Sequence, residues 1–241
     1  MKTTLNRIGV GALWVAGVLS VYAQDGPRGH WSGPVEIPNQ TLVMEVDLDK
    51  GPNGWIGSIS IPAQNVSGIP LDAISFSDGK CTFHIKGGPG DPTFTGTLSA
   101  DGKTMTGNFT QGPGSFPFKF SRTGDPKIEA EKASPAVAKD FLGTWEGTLE
   151  GPGPLRLVLK MSNDSGGAKA VLISLDQGGV EIPVSAIDQK GSKLKLLVKM
   201  VGGQYEAEIN KEGSELNGTW TQGGKDLPLK LKKAAAQDKK P

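Results

Sequence analysis

The chain has 241 residues, with 26 Lys and Arg against 25 Asp and Glu for a formal charge of +1, and a single cysteine. So balanced a charge gives no electrostatic case for nucleic acid or an anionic membrane surface as partner. One cysteine, Cys81, excludes an internal disulfide, so stability has to come from burial.

In chain order, residues 1–23 read as an export signal. Lys2 and Arg7 form a positive start, Ile8 to Ala23 is almost wholly apolar or small, and Val21-Tyr22-Ala23 places cleavage before Gln24. The apolar stretch is too short and too glycine-rich for a membrane span. Losing Lys2 and Arg7 takes the formal charge from +1 to −1. The expected product is periplasmic or secreted, with no transmembrane segment in the mature chain.

Beyond the signal, one pattern is written twice. Trp31-Ser32-Gly33 returns as Trp145-Glu146-Gly147. Gln64 with Ile69-Pro70-Leu71 returns as Gln177 with Ile182-Pro183-Val184, and Gly107 to Gly112 returns as Gly218 to Gly223. The offset drifts only from 114 to 113 to 111 residues. A tandem duplication of a domain of about 95 residues follows, a size at which each unit can fold alone with a small margin. The expected map is a first domain at 27–122, a linker rich in Pro, Ala, Glu and Lys at 123–139, a second domain at 140–233, and a disordered tail at 234–241.

Both units read as strands. Leu155, Leu157, Leu159 and Met161 alternate with Arg156, Val158 and Lys160, and Leu42, Met44, Val46 and Leu48 hold the matching phase in the first unit. A period of two is a strand with one buried face. The pattern recurs at Cys81, Phe83 and Ile85, at Phe94 to Leu98, at Met105 to Phe109, and at Phe116 to Phe120, with answering runs in the second unit. Pro117 and Pro228, just ahead of Phe118 and Leu229, are expected at strand starts. Asp78-Gly79 and Asp101-Gly102 are hairpin signals, answered by Lys190-Gly191 and Glu212-Gly213. About eight strands per unit with short connections predict an all-β chain of two tandem antiparallel up-and-down eight-stranded barrels, or a flattened barrel or sandwich. Closure removes the edges that an exported protein has to protect.

Nothing rises to a catalytic signature. The histidines, His30 and His84, both fall in the first unit; there is no Gly-x-Ser-x-Gly elbow, no His-Glu-x-x-His and no nucleotide loop. Asp47, Asp49 and Asn53 loosely resemble a calcium loop but lack its terminal acid, so a polar hairpin is expected, with no metal and no cofactor. Trp31, Gly33, Trp145 and Gly147 are expected to be structural, as is Cys81, which aligns with Leu194. Two pairs of repeated amides, Gln64 with Gln177 and Gln111 with Gln222, leave two readings open. They satisfy backbone groups where the chain turns over a barrel mouth, or they line an opening and bind a ligand. Trp55 and Trp220 have no tryptophan counterpart, which is either volume trading in a packed core or a difference in pocket shape.

The Gly-x-Trp opening in Phe141-Leu142-Gly143-Thr144-Trp145 resembles that of lipocalin-like barrels. More widely, Trp145-Glu146-Gly147-Thr148-Leu149, Leu175-Asp176-Gln177-Gly178 and Gly218 to Gly224 with Leu227-Pro228-Leu229 resemble the small β domain found ahead of the catalytic domain in some exported bacterial serine hydrolases of the α/β-hydrolase type. The likeness spans nearly all of the mature chain, with the first unit more diverged. Since the hydrolase domain has no counterpart here, the resemblance implies an accessory or binding role and transfers no catalytic residue.

The resulting expectation is a non-catalytic exported binding or accessory protein. As a carrier of a small hydrophobic molecule or envelope component, it would hold the ligand in an internal cavity lined by Leu157, Gln177, Tyr205 and Trp220 or their first-unit partners, with Gln64, Gln111 and Gln222 as further candidates. As an interaction module for an exported enzyme, it would have filled barrels and an apolar patch across the groove between the units.

Overall fold

The structure, a computed structural model, describes residues 26–129, 133–151 and 153–235. The expected signal at 1–23 lies outside the described residues, as do part of the linker and most of the tail. Of the described helical segments, none is longer than a single 3₁₀ turn, and none is long and apolar enough to cross a membrane.

The alternating runs form an all-β structure. The first eight strands are β1 (Gly29–Ile37), β2 (Gln40–Gly51), β3 (Gly54–Ile61), β4 (Val66–Ser77), β5 (Lys80–Ile85), β6 (Thr93–Leu98), β7 (Thr104–Gln111) and β8 (Gly114–Gly124). Each pairs antiparallel with the next, and β8 pairs back on β1, closing an up-and-down barrel. One strand makes the corner. β4 pairs with β3 through Val66 to Pro70 and with β5 through Leu71 to Ser77, with an irregularity near Ala73, whose φ is +47°. Asp78 and Gly79, with φ of +51° and +75°, make the tight turn into β5.

The second barrel is β9 (Gly143–Leu149), β10 (Leu155–Asp164), β11 (Gly167–Ser174), β12 (Val180–Pro183), β13 (Ala186–Lys190), β14 (Lys193–Val198), β15 (Gly203–Ile209), β16 (Glu215–Gln222) and β17 (Lys225–Lys233). It is one curled sheet of nine strands rather than the expected eight. The extra strand arises because the corner that bends β4 splits its counterpart into β12 and β13, which sit at the two edges of the sheet. At the split, Val184 N–H donates to the Ala170 carbonyl at 3.0 Å and Ser185 N–H to the Leu197 carbonyl at 2.7 Å. The chain thus steps from one neighbour to the other within two residues. The prolines also depart from expectation, lying inside β8 and β17 rather than at their starts. Pairing with the first strand of each barrel begins one residue later, at Phe118 with Val35 and at Leu229 with Leu149. Each proline therefore has only one ladder to serve, and its missing N–H leaves no acceptor waiting on the other side.

The pairing of first and last strands depends on the glycine of each Trp-x-Gly. A Cβ on Gly33 would stand 2.0 Å from the Lys119 carbonyl oxygen, and one on Gly147 would stand 2.1 Å from that of Lys230. First and last strands meet there too closely for any side chain. The tryptophans stand beside these seams, fully buried. Trp31 Nε1 donates to the Pro27 carbonyl at 2.8 Å, and Trp145 Nε1 to the Phe141 carbonyl at 2.9 Å, the same four-residue reach in both barrels. A cation from the last strand covers each indole: the Arg122 guanidinium 4.8 Å and the Lys233 ammonium 5.0 Å from the ring centroid. Arg122 also donates to the Gly26 carbonyl and Lys233 to that of Asp140, tying the chain entering each barrel to the strand leaving it.

Inside the first barrel, Phe94 stacks between Phe83 at 4.9 Å and Phe109 at 4.5 Å, with Phe118 edge-on at 5.4 Å. Cys81 is buried in the same core. In the second barrel Tyr205 stands at the register position of Phe94. Its hydroxyl donates toward the carbonyls of Leu229 at 3.0 Å and Leu216 at 3.2 Å.

Replacing Gly33 or Gly147 by alanine is expected to cost about 3 kcal/mol or more by overpacking the seam. Gly124→Ala, with nothing within 4 Å of its added carbon, should stay within about 0.5 kcal/mol of the parent. Urea unfolding followed by tryptophan fluorescence makes the comparison. Burial also pushes the Cys81 thiol up to about 12, so a maleimide at neutral pH should label the folded chain no faster than the first barrel opens. Labelling as fast as for a free thiol would show that this core is open.

Candidate functional site

Four connections of the first barrel, β1–β2, β3–β4, β5–β6 and β7–β8, gather at one end by the alternation of an up-and-down meander. This mouth faces the equivalent end of the second barrel. The 3₁₀ turn Lys199–Val201 of the second barrel lies against β4 of the first, close to where the 3₁₀ turn Pro62–Gln64 ends. Lys199 Nζ donates to the Gly68 carbonyl at 3.3 Å, and a Cβ on Gly202 would come within 2.9 Å of the Asn65 carbonyl oxygen. Met200 packs against both cores.

Between the two ends lies a cleft of about 460 Å³. The first barrel supplies the inward-facing residues of its mouth, among them Leu42, Met44, Ile85 and Phe109; Val180, Ile182, Met200 and Val201 close it from the second. The wall carries no ionisable side chain. Its polar side chains are three amides on three separate elements: Gln64 and Gln177, each the last residue of a 3₁₀ turn, and Gln111 at the end of β7.

The glutamine pairs divide by role. Gln111 Nε2 donates to the Pro89 carbonyl at 2.9 Å, and Gln222 Nε2 to the Val201 carbonyl at 2.7 Å. Each thus clamps one mouth connection to the next. Gln222 Oε1 further accepts from Trp220 Nε1 at 3.0 Å, which occupies both ends of that amide. Gln64 and Gln177 make no side-chain hydrogen bond among the described residues, so their amides are free at the cleft. An internal chamber shared by Leu157, Gln177, Tyr205 and Trp220 is not what the structure shows. Leu157, Tyr205 and Trp220 lie in the second core, whose residual space around Tyr205 and Trp220 is only about 10 Å³, while Gln177 is exposed outside it. Alternation distinguishes inward from outward residues, but a residue on a turn beyond the strand end obeys neither rule.

The turn bearing Gln177 is held by an ion pair. Arg156 Nη2 and Nε lie 2.6 and 2.9 Å from one Asp176 carboxylate oxygen, and Arg156 N–H donates to the other at 2.7 Å. The Arg156 side chain, followed by its backbone N–H, keeps the Asp176 carboxyl below its ordinary range.

Neither histidine lines the cleft. His30 Nδ1 lies 2.7 Å from Asp47 Oδ1, which also accepts from Lys127 N–H at 2.8 Å, so this pair anchors the start of the linker on the first barrel. At His84, Asp91 at 3.3 Å and Thr93 at 3.4 Å both approach Nδ1. A relay needs its two partners on opposite ring nitrogens, which this arrangement lacks. Asp49 is engaged by Arg28 and by Lys50 N–H, so the acidic residues of the loosely calcium-like loop face different partners. Among the described residues, no group of three or more His, Cys, Asp or Glu gathers as a metal site.

No family model matches the chain, and no curated protein matches it. Among solved structures, a protein of unknown function of the DUF3598 family from Nostoc punctiforme is 14% identical over 86% of this chain and 96% of its own, with a TM-score of 0.23. An AttH candidate from Nitrosomonas europaea is 12% identical over 90% and 96%, at 0.23. PhuS, a heme-binding protein from Pseudomonas aeruginosa, is 12% identical over 88% and 78%, at 0.17.

The depressed Asp176 carboxyl has a signed consequence. Its contribution to stability is present above the ordinary carboxylate value and is lost as the pH falls through the lower, folded value. Asp176→Asn should therefore melt below the parent at pH 7, and the gap should start to narrow below about pH 4 and close only at lower pH, beneath the folded value. A gap that persists undiminished into acid would mean that charge is not what holds the turn.

Proposed function

We propose that this chain is a non-catalytic exported binding protein, built from two tandem barrels that arose by duplication, and that it holds a small hydrophobic molecule, such as a cell-envelope component, in the cleft where the mouth of the first barrel meets the second. The observation that carries this reading is the cleft itself: about 460 Å³ of apolar wall with two unengaged amides. Its volume falls within the range of small-molecule sites, about 300–1,000 Å³, and its makeup of apolar wall with few polar groups is the usual one. A binding role also agrees with the pairing of both histidines away from the cleft. The second reading, an interaction module for an exported enzyme, draws support from the filled second barrel.

Native mass spectrometry of protein recovered from the compartment of its own producing cell tests both. The expected species starts at Gln24 and carries a non-covalent adduct of a few hundred daltons. Val180→Trp, which adds an indole to a half-buried position on the cleft wall, should lose that adduct while keeping the parent's melting temperature. A stoichiometric protein partner in place of the adduct would establish the module instead, and a chain that retains residues 1–23 would overturn export.

A further inference from the structure

We propose that the cleft selects an uncharged ligand with a hydrogen-bonding head group, which the amides of Gln64 and Gln177 receive, and rejects ionised amphiphiles of the same size. The inference rests on the reading of the cleft as the binding site and adds the chemistry of what enters it. Two observations converge with the chemistry of the amide group. The wall offers no ionisable side chain, so a carboxylate, phosphate or ammonium drawn in would lose its water and gain no countercharge. The wall is nonetheless not purely apolar, because three amides reach it from three separate elements. An amide presents both a donor and an acceptor, which suits a hydroxyl, carbonyl, ester or amide head.

The amides are not equivalent. Gln111 is committed to the Pro89 carbonyl and orders the rim. Gln64 and Gln177 have their full bonding capacity available and come from opposite barrels, so a head group held between them bridges the two domains. Each terminates a 3₁₀ turn and is followed by a left-handed residue, Asn65 with φ of 54° and Gly178 with φ of 80°. That shared turn explains why both amides are presented at strand ends rather than folded back into a sheet. The volume corresponds to about fifteen waters at ~30 Å³ each, hence to a ring system or short chain rather than a two-chain lipid.

The test uses the full mature chain and two matched sets of probes. N-phenyl-1-naphthylamine and its sulfonate, 1-anilinonaphthalene-8-sulfonate, share a skeleton and differ in charge; dodecan-1-ol, dodecanoate and dodecylammonium share a chain length. The neutral naphthylamine should bind with enhanced fluorescence. Dodecan-1-ol should displace it at least tenfold more effectively than either ion, and the sulfonate should bind at least tenfold more weakly. In the Gln64→Leu/Gln177→Leu double variant, dodecan-1-ol affinity should fall about tenfold with the melting temperature unchanged, since both side chains are exposed and unbonded.

Dodecanoate or dodecylammonium binding as tightly as the alcohol, in a manner that Val180→Trp abolishes, would overturn the selectivity and leave the cleft as the site. Binding that is indifferent to Val180→Trp, or no binding of any probe, would overturn the cleft reading itself. Unchanged alcohol affinity in the double variant would remove the amides from recognition.

Discussion

The contact on which the architecture depends is the approach of the first and last strands of each barrel at a glycine. With a carbonyl oxygen 2.0 Å from where the Gly33 Cβ would be, and 2.1 Å at Gly147, the strands can pair only if that position is bare. Two residues earlier the tryptophan supplies the bulk that the glycine withholds, filling the end of the core while its N–H satisfies a carbonyl of the entering chain. The cation over the indole completes the device, because its head group bonds the carbonyl of a residue just before the first strand. One short sequence motif thereby fixes the seam, seals one end of the barrel and ties down the entering chain. In the first barrel the opposite end, bearing the four hairpin connections, carries no such seal, and it is there that the cleft lies.

Most of the fold was legible because strand periodicity is a direct imprint of burial. Leu42, Met44, Val46 and Leu48 alternate in sequence and are all buried, and Asp78-Gly79 forms the turn its chemistry demands. What escaped is instructive. The corner of the second barrel follows Pro183, and the sequence does not show that the chain changes neighbours there; the exchange of bonding partners from Ala170 to Leu197 divides β12 from β13. The internal prolines depart from a rule framed by position within a strand. The operative constraint is how many neighbours a residue has to bond. The cations over Trp31 and Trp145 did leave a trace, for Arg122 and Lys233 occupy the same place at the ends of the two units, but their partners lie about ninety residues away in sequence.

The site was legible in part. Repetition of the glutamines marked positions that matter, and three of the four stand at one cleft. Repetition could not say that Gln111 and Gln222 clamp backbone while Gln64 and Gln177 stand free, because that depends on which carbonyl each amide can reach. Nor could it join Gln64 to Gln177. Their place on one cleft is a product of how the barrels pack, with Lys199 on Gly68 and Gly202 against Asn65, and no periodicity within either unit encodes it.

Why the cleft opens into the first barrel and not the second follows from two exchanged residues. At equivalent register, β7 carries Phe109 where β16 carries Trp220, and Pro92 precedes β6 where Gly203 opens β15. The indole of Trp220 lies so close over Gly203 that a Cβ there would stand 2.2 Å from it. The large ring and the bare backbone are thus mutually required, and together they stopper the second mouth. In the first barrel the proline ring takes the place of the bare backbone, the smaller phenyl ring takes that of the indole, and the same mouth remains open toward Met200. The two units share the pairing of first and last strands at a bare glycine, and the difference in this single pair of positions leaves one mouth open to the cleft and fills the other.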